Sequence, residues 1–199
     1  MSTMPAPHTW GDGELVTAAL LNTYVRDSFL ATFAKLDSTV FGSSQANIVF
    51  NSISTNYHSL LLVGGYISDT SAAALQGRMQ FNGDGGANYN QNVRFSTGSA
   101  VGAVDFLGTT DCIGIGVSGS VNAVESAGYV LIRDYKSTVT QKQYVGGYFS
   151  MGSTAAGSLA VTTVGGVWNS GAAALSLINI YPSAGGFLHG AMTLYGIGA

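Results

Sequence analysis

Apolar and polar positions along the chain follow two different periods. Between Thr17 and Leu36 apolar residues recur at three- and four-residue steps, at Ala18, Leu21, Val25, Phe29, Phe33 and Leu36. That is the stripe of an amphipathic helix. Leu20, Tyr24 and Leu30 widen it, and Asn22, Arg26, Asp27 and Lys35 interrupt the rest of the surface. Thr17 is suited to cap the N-terminus, and Glu14 adds negative charge near the helix start. The spacing therefore predicts one helix over 17–36. A helix this apolar packs against its own sheet, against copies of itself, or against a larger assembly. No heptad pattern continues beyond it, so no coiled-coil shaft is predicted. Ahead of the helix, Met1 to Gly13 reads as an extended arm, because Pro5 and Pro7 fix φ and remove backbone donors. Trp10 is the anchor of that arm, seated either on another surface or back on the helix.

After Asp37 the period shortens. Short alternating or β-branched runs are separated by Gly, Ser, Asn and Asp clusters. Strands are predicted near Asn47–Ser52, Ser59–Ile67, Leu75–Phe81, Gln91–Ser96, Cys112–Val117, Gly128–Asp134, Gln143–Ser150, Ala160–Val167, Leu175–Tyr181 and Leu188–Ile197. Many short strands without intervening helices point to a mainly β fold, a β-sandwich of jelly-roll type. The expected organisation is an N-terminal arm and docking helix over 1–37 and a β-sandwich over 38–199. The 28 glycines are expected mostly at turns, as in Gly83-Asp84-Gly85-Gly86, Gly146-Gly147 and Gly185-Gly186, where φ > 0 is tolerated. No fixed-period repeat supports a propeller or solenoid.

Composition changes the picture in one respect. Hydrophobic residues make up 46% of the chain, enough for a real core, but charged residues only 9%, against about 25% in an ordinary soluble domain. A surface so poor in charge is expected to lie in contact with other chains, the alternative being a secreted polar β protein whose Ser, Thr and Asn wet the surface without charge. Arg26, Lys35, Arg78, Arg94, Arg133, Lys136 and Lys142 are scattered and the net charge is −3, so nothing supplies the basic cluster that nucleic-acid binding needs. Cys112 is the lone cysteine, which excludes an intrachain disulfide framework. Its apolar surroundings read as a buried small hydrophobe. Residues Met1 to His8 lack the basic start and apolar run of a secretory signal. No stretch approaches the roughly 18 to 20 apolar residues of a membrane helix. If the protein ends outside a cell, it is expected to get there by a route other than signal-directed secretion, such as lysis.

Candidate chemistry is sparse. Gly114-Ile-Gly-Val-Ser-Gly119 matches G-x-G-x-x-G, but no helix is predicted after it to receive a pyrophosphate. The ten carboxylates select no pair for glycoside hydrolysis, and His8, His58 and His189 share no metal spacing. No catalytic, cofactor or metal residue is assigned. The most polar loop runs from Asn82 to Asn92. Asn82, Asp84, Asn88, Tyr89 and Asn90 form a candidate glycan-contact group, the amides bonding hydroxyls and the ring stacking on a sugar. Ordinary hairpin-turn chemistry accounts for the same residues.

Trp10-Gly-Asp-Gly-Glu-Leu-Val-Thr-Ala-Ala-Leu-Leu-Asn-Thr-Tyr-Val-Arg-Asp-Ser-Phe-Leu30 resembles the N-terminal segment of many bacteriophage minor tail and virion structural proteins. Trp10, Gly13, Glu14, Val16, Thr17, Ala18, Leu21, Asn22, Val25, Arg26 and Asp27 carry the match. Leu75 to Asp84, Asn88-Tyr89 and Met192 to Ile197 look more loosely like phage tail-fibre and receptor-binding sandwiches. The resemblance implies a virion component, commonly a trimer, docked through its N-terminal segment, with Trp10, Leu21, Val25, Phe29 and Phe33 as docking residues. The expected function is a non-enzymatic fibre, spike or tail protein that attaches to host-surface glycan. A capsid cement protein without receptor binding, and a carbohydrate-binding module outside any particle, stand as alternatives.

Overall fold

The computed structural model describes residues 17–18, 33–68, 75–97, 100–118, 126–151, 159–169 and 173–198. Twelve strands account for most of them: β1 (Phe33–Phe41), β2 (Ile48–Phe50), β3 (Ser59–Ser68), β4 (Leu75–Phe81), β5 (Tyr89–Thr97), β6 (Ala100–Thr109), β7 (Cys112–Ser118), β8 (Ser126–Arg133), β9 (Lys142–Met151), β10 (Leu159–Trp168), β11 (Ile178–Pro182) and β12 (Phe187–Ile197). The mainly β expectation holds. Eight strands form one sheet in the order β1-β12-β3-β8-β9-β10-β5-β6, and four form a second in the order β2-β11-β4-β7. Neighbouring strands run antiparallel.

The predicted helix is overturned at its end. Phe33 to Leu36 open β1, which pairs with β12 from Phe33 opposite Ile197 to Phe41 opposite Gly190. Phe33 and Lys35 are exposed while Ala34 and Leu36 are partly buried, an alternation of period two. Helix propensity is a weak preference, and a waiting row of β12 donors and acceptors outweighs it. The expected boundary at 37/38 therefore falls inside a strand. Trp10, Leu21, Val25 and Phe29 lie outside the described residues, as does the predicted helix over 19–32.

Inward side chains of both sheets meet in one core. Leu60, Leu62, Val130, Ile132, Tyr144, Val164, Trp168 and Leu194 come from the large sheet, and Ile48, Phe50, Met79, Phe81, Cys112, Ile178 and Ile180 from the small one. Phe81 of the small sheet meets three rings of the large one. Its ring centroid lies 5.5 Å from Trp168 at 68° and 6.0 Å from both Tyr144 and Tyr89. Edge contacts of this kind are favoured beyond area burial alone. A second group joins Phe187 to Tyr66 at 4.6 Å and to Phe41 at 5.9 Å.

The expectation that glycines sit mostly at turns fails for Gly146-Gly147, which lies in the middle of β9. A Cβ at Gly146 would stand 2.6 Å from the Tyr129 carbonyl oxygen of the neighbouring strand, so the close approach of β8 and β9 requires glycine. The Asn82-Gly83 turn does follow expectation. Both residues have positive φ, 53° and 69°, and Asp84 N donates to Phe81 O at 2.9 Å, the signature of a type I′ turn.

Burial raises the phenol pKa of Tyr66, Tyr89 and Tyr144 well above the ordinary value. A raised folded value means that the neutral form stabilises the fold fully below the unfolded pKa of about 10 and that this contribution is lost as pH climbs past it. We expect these phenols to ionise only on unfolding, in one cooperative alkaline transition. Tyrosinate absorbance and circular dichroism followed together check this: phenolate from these residues appearing before the sheet signal falls would contradict it.

Candidate functional site

The turn after β4 and the two strands beside it gather most of the polar side chains singled out above. Their groups are engaged internally. The side-chain oxygen of Asn82 accepts from Ser176 N at 2.8 Å and Leu177 N at 3.1 Å, and its amide donates to Ala174 O at 2.9 Å. It thus ties the β4 turn to the approach to β11. Asp84 Oδ1 accepts from Gly86 N at 2.8 Å, while its Oδ2 accepts from Asn88 Nδ2 at 2.9 Å and from Trp168 Nε1 at 2.7 Å. Tyr89 is fully buried. Its hydroxyl accepts from Phe81 N at 2.8 Å and donates to Asp84 O at 3.2 Å, and its ring stacks on Trp168 at 22°. Asn90 Oδ1 accepts from Gly108 N at 2.8 Å. The five predicted contact residues are brought together, but Tyr89 presents no ring face to solvent, and Asn82 and Asp84 are spent on closing the fold.

Beside this loop lies a recess of about 410 Å³ lined by Arg78, Gly108, Thr109, Thr110, Asp111, Tyr181 and Ser183. Three elements build it. β4 supplies Arg78, which alternates with the inward Met79 and Phe81 and so faces away from the core. β11 pairs with β4 so that Tyr181 stands opposite Arg78. The β6–β7 turn brings in Asp111, whose carboxylate accepts from Arg78 Nη1 at 2.8 Å through Oδ1 and from the Tyr181 hydroxyl at 2.8 Å through Oδ2. The Thr109 hydroxyl lies 2.8 Å from Asp111 O and 3.2 Å from Tyr89 O, and Gln80 Nε2 donates to Thr110 O at 3.1 Å. These three contacts hold the turn in place. Partial burial, and then the hydrogen bond to Asp111, raise the Tyr181 pKa, so the phenol stays a donor. The buried Nε of Arg78 has no acceptor among the described residues.

The outward face of the large sheet has the opposite character. Val63, Tyr129, Val145, Phe149 and Val161 are each 39 to 53% exposed. They lie on adjacent strands: Val63 is opposite Tyr129, and Phe149 is opposite both Ala127 and Val161. The sequences of β3, β8, β9 and β10 hold two charged residues, Arg133 and Lys142. Both sit at one end of their strands, and Lys142 is turned inward under Trp168, 5.7 Å from its ring centroid. Phe33, the one predicted docking residue that is described, is exposed at the start of β1.

Comparison with known protein families, with curated proteins and with solved structures finds no match to this chain. Cys112 is buried beneath the small sheet, and burial pushes its thiol pKa up, which suits packing rather than nucleophilic chemistry. Among the described residues no three His, Cys, Asp or Glu side chains converge on a metal position.

Sequence reasoning missed the recess. The strand alternation Arg78-Met79-Gln80-Phe81 already places Arg78 outward, and an outward arginine in so uncharged a chain was the available signal. That Asp111 and Tyr181 meet it depends on strand order. The apolar face had a signal too: Tyr129-Val-Leu-Ile132 is apolar on both faces, the mark of a strand covered on both sides.

Asp84→Ala leaves Trp168 Nε1 buried without its acceptor. We expect a loss of about 2 to 3 kcal/mol of unfolding free energy in urea, the scale of hydrogen bonds to a charged group. Asn88→Ala, which removes one donor to the same carboxylate, should cost less than half as much. Equal losses would show that Asp84 acts through the loop and not through Trp168.

Proposed function

We propose that the chain is a non-enzymatic structural component of a bacteriophage virion, an oligomeric fibre, spike or tail protein whose β part is a jelly-roll sandwich. The observation that carries this reading is the apolar patch of Val63, Tyr129, Val145, Phe149 and Val161 on the outward face of the four central strands of the large sheet. An antiparallel sheet that ends in water normally alternates apolar and polar residues. On its four central strands this one gathers five exposed apolar side chains with charge only at the strand ends, as a surface buried against other copies would. The low overall charge is consistent with that burial.

Strand order supports the jelly roll. Setting aside the hairpins β5–β6 and β9–β10, the eight remaining strands are ordered β1-β12-β3-β8 in one sheet and β2-β11-β4-β7 in the other. First beside eighth, third beside sixth, second beside seventh and fourth beside fifth is the pairing of a jelly roll, an architecture frequent in viral shells and lectins. That link between fold and role is analogy. The N-terminal segment supplies the phage-specific part: Trp10, Leu21, Val25 and Phe29 would hold the chain on the particle, made in the host cytoplasm and released with it. The polar loop after β4, carrying Asn88, would face host-surface glycan.

Two measurements test the proposal. Light scattering of the full-length protein should give an oligomer, a trimer on the virion reading. Phe149→Glu with Val161→Glu should reduce it to a single chain with an unchanged circular dichroism spectrum. A full-length monomer would remove the assembly reading. Leu21→Asp with Val25→Asp should abolish incorporation into particles while the oligomer persists, and normal incorporation would refute docking through that segment.

A further inference from the structure

The recess beside the Asn82–Asn92 loop is a second polar feature with its own chemistry. Its single cation and single anion, Arg78 and Asp111, are already joined at 2.8 Å. Their charges cancel, so the recess offers no net attraction to phosphate or carboxylate, and an anion placed there would also meet the Asp111 carboxylate. An apolar ligand would strand the hydroxyl and charged groups of the wall without partners. What remains is a neutral ligand that donates and accepts hydrogen bonds on neighbouring atoms.

The pair is set up for that chemistry. Each oxygen of Asp111 takes one hydrogen bond, from Arg78 through Oδ1 and from Tyr181 through Oδ2, and a carboxylate oxygen has room for a second donor. Arg78 keeps further guanidinium donors beyond the one given to Asp111, and its side chain is 25% exposed. A guanidinium and a carboxylate side by side match two adjacent hydroxyls, one accepting from Arg78 and the other donating to Asp111. Such a chain of bonds strengthens each member. Thr110 and Ser183 are exposed at the rim, and the Ser183 hydroxyl accepts from Gln76 N at 3.1 Å, which leaves its own proton to donate. Gly108, with φ of 61°, contributes wall without a side chain. The volume suits roughly one or two sugar rings, at the small end of ligand sites. The arrangement is also costly to hold, since a buried guanidinium donor lacks an acceptor among the described residues, the kind of expense that collects at functional sites.

We infer that Arg78, Asp111 and Tyr181, with Thr110 and Ser183 at the rim, form a binding site for a neutral hexose unit, recognised through two adjacent hydroxyls. This places sugar contact in the recess and leaves the Asn82–Asn92 loop as its scaffold, since Asn90 holds Gly108 and Tyr89 holds Thr109. The inference rests on the virion reading only for the source of the sugar, a host-surface glycan.

Saturation-transfer NMR on the full-length protein tests it, with the methyl glycosides of glucose, galactose, mannose and rhamnose as neutral probes and sodium glucuronate as the anion. At least one neutral glycoside should bind saturably, with Kd in about the millimolar range, and more tightly than glucuronate. Tyr181→Phe, which removes one hydroxyl, should weaken it about tenfold with the circular dichroism spectrum unchanged. Thr110→Arg, which fills the recess from its exposed rim, should abolish it. No transfer to any neutral glycoside, tighter binding of glucuronate, or binding that survives both substitutions would overturn the inference. Sugar binding by a protein that never enters particles would leave the site standing and remove the virion reading instead.

Discussion

The structure depends on one insertion. Phe81, at the end of a strand of the small sheet, enters a box made by Tyr89, Tyr144 and Trp168 of the large sheet. Its backbone is held in the same place, because Phe81 N donates to the Tyr89 hydroxyl. Asp84, one turn further on, takes the indole proton of Trp168. A ring contact and two hydrogen bonds thus join the sheets at one point. Buried tyrosine and tryptophan need partners for their polar atoms, and this turn supplies them. Since strand side chains alternate, seating Phe81 and Met79 inward obliges Gln80 and Arg78 to face out. The core therefore aims the arginine of the recess.

The two outer faces follow different physics. On the large sheet the four central strands expose valine, tyrosine and phenylalanine with no charge between them, a surface that gains free energy when water leaves it. On the small sheet the outward positions include the half-buried Arg78, Gln80, Asn179 and Tyr181 beside the exposed Val49, with the polar groups held in order by Asp111 and by Asn47, whose amide donates to Asn179 at 3.2 Å. An oligomer that buries the first face leaves the second in water. A chain with few charges has placed two of them together, at a joint between strands distant in sequence, and that concentration gives the recess its weight.

Much of the β architecture was legible in local pattern. Val49 to Ser52, Arg78 to Phe81 and Leu175 to Ile180 alternate, and strands stand at or beside each of them. The Asn82-Gly83 turn was readable because few residues tolerate φ > 0. Two strands were not legible. β6 carries Gly102, Ala103 and Asp105 and, among the described residues, pairs with β5 alone at the sheet edge, so little apolar patterning marks it. β1 was hidden because Phe33 and Leu36 fit a helical step as well as a strand, and only the backbone of β12 decides between them.

The sequence by itself determined the mainly β character, the positions of most strands and turns, the small number of charges and the inward-outward alternation of β4. Each of these is a local property, fixed by neighbours a few residues away. Tertiary structure alone decided that Tyr89 is core and not a sugar platform, that Gly146-Gly147 crosses a sheet instead of turning a corner, and that Arg78, Asp111 and Tyr181 share a carboxylate. Those outcomes depend on which strands become neighbours. Antiparallel pairing brings together residues 33 and 70 positions apart in the chain, and no periodicity within a strand encodes its partner.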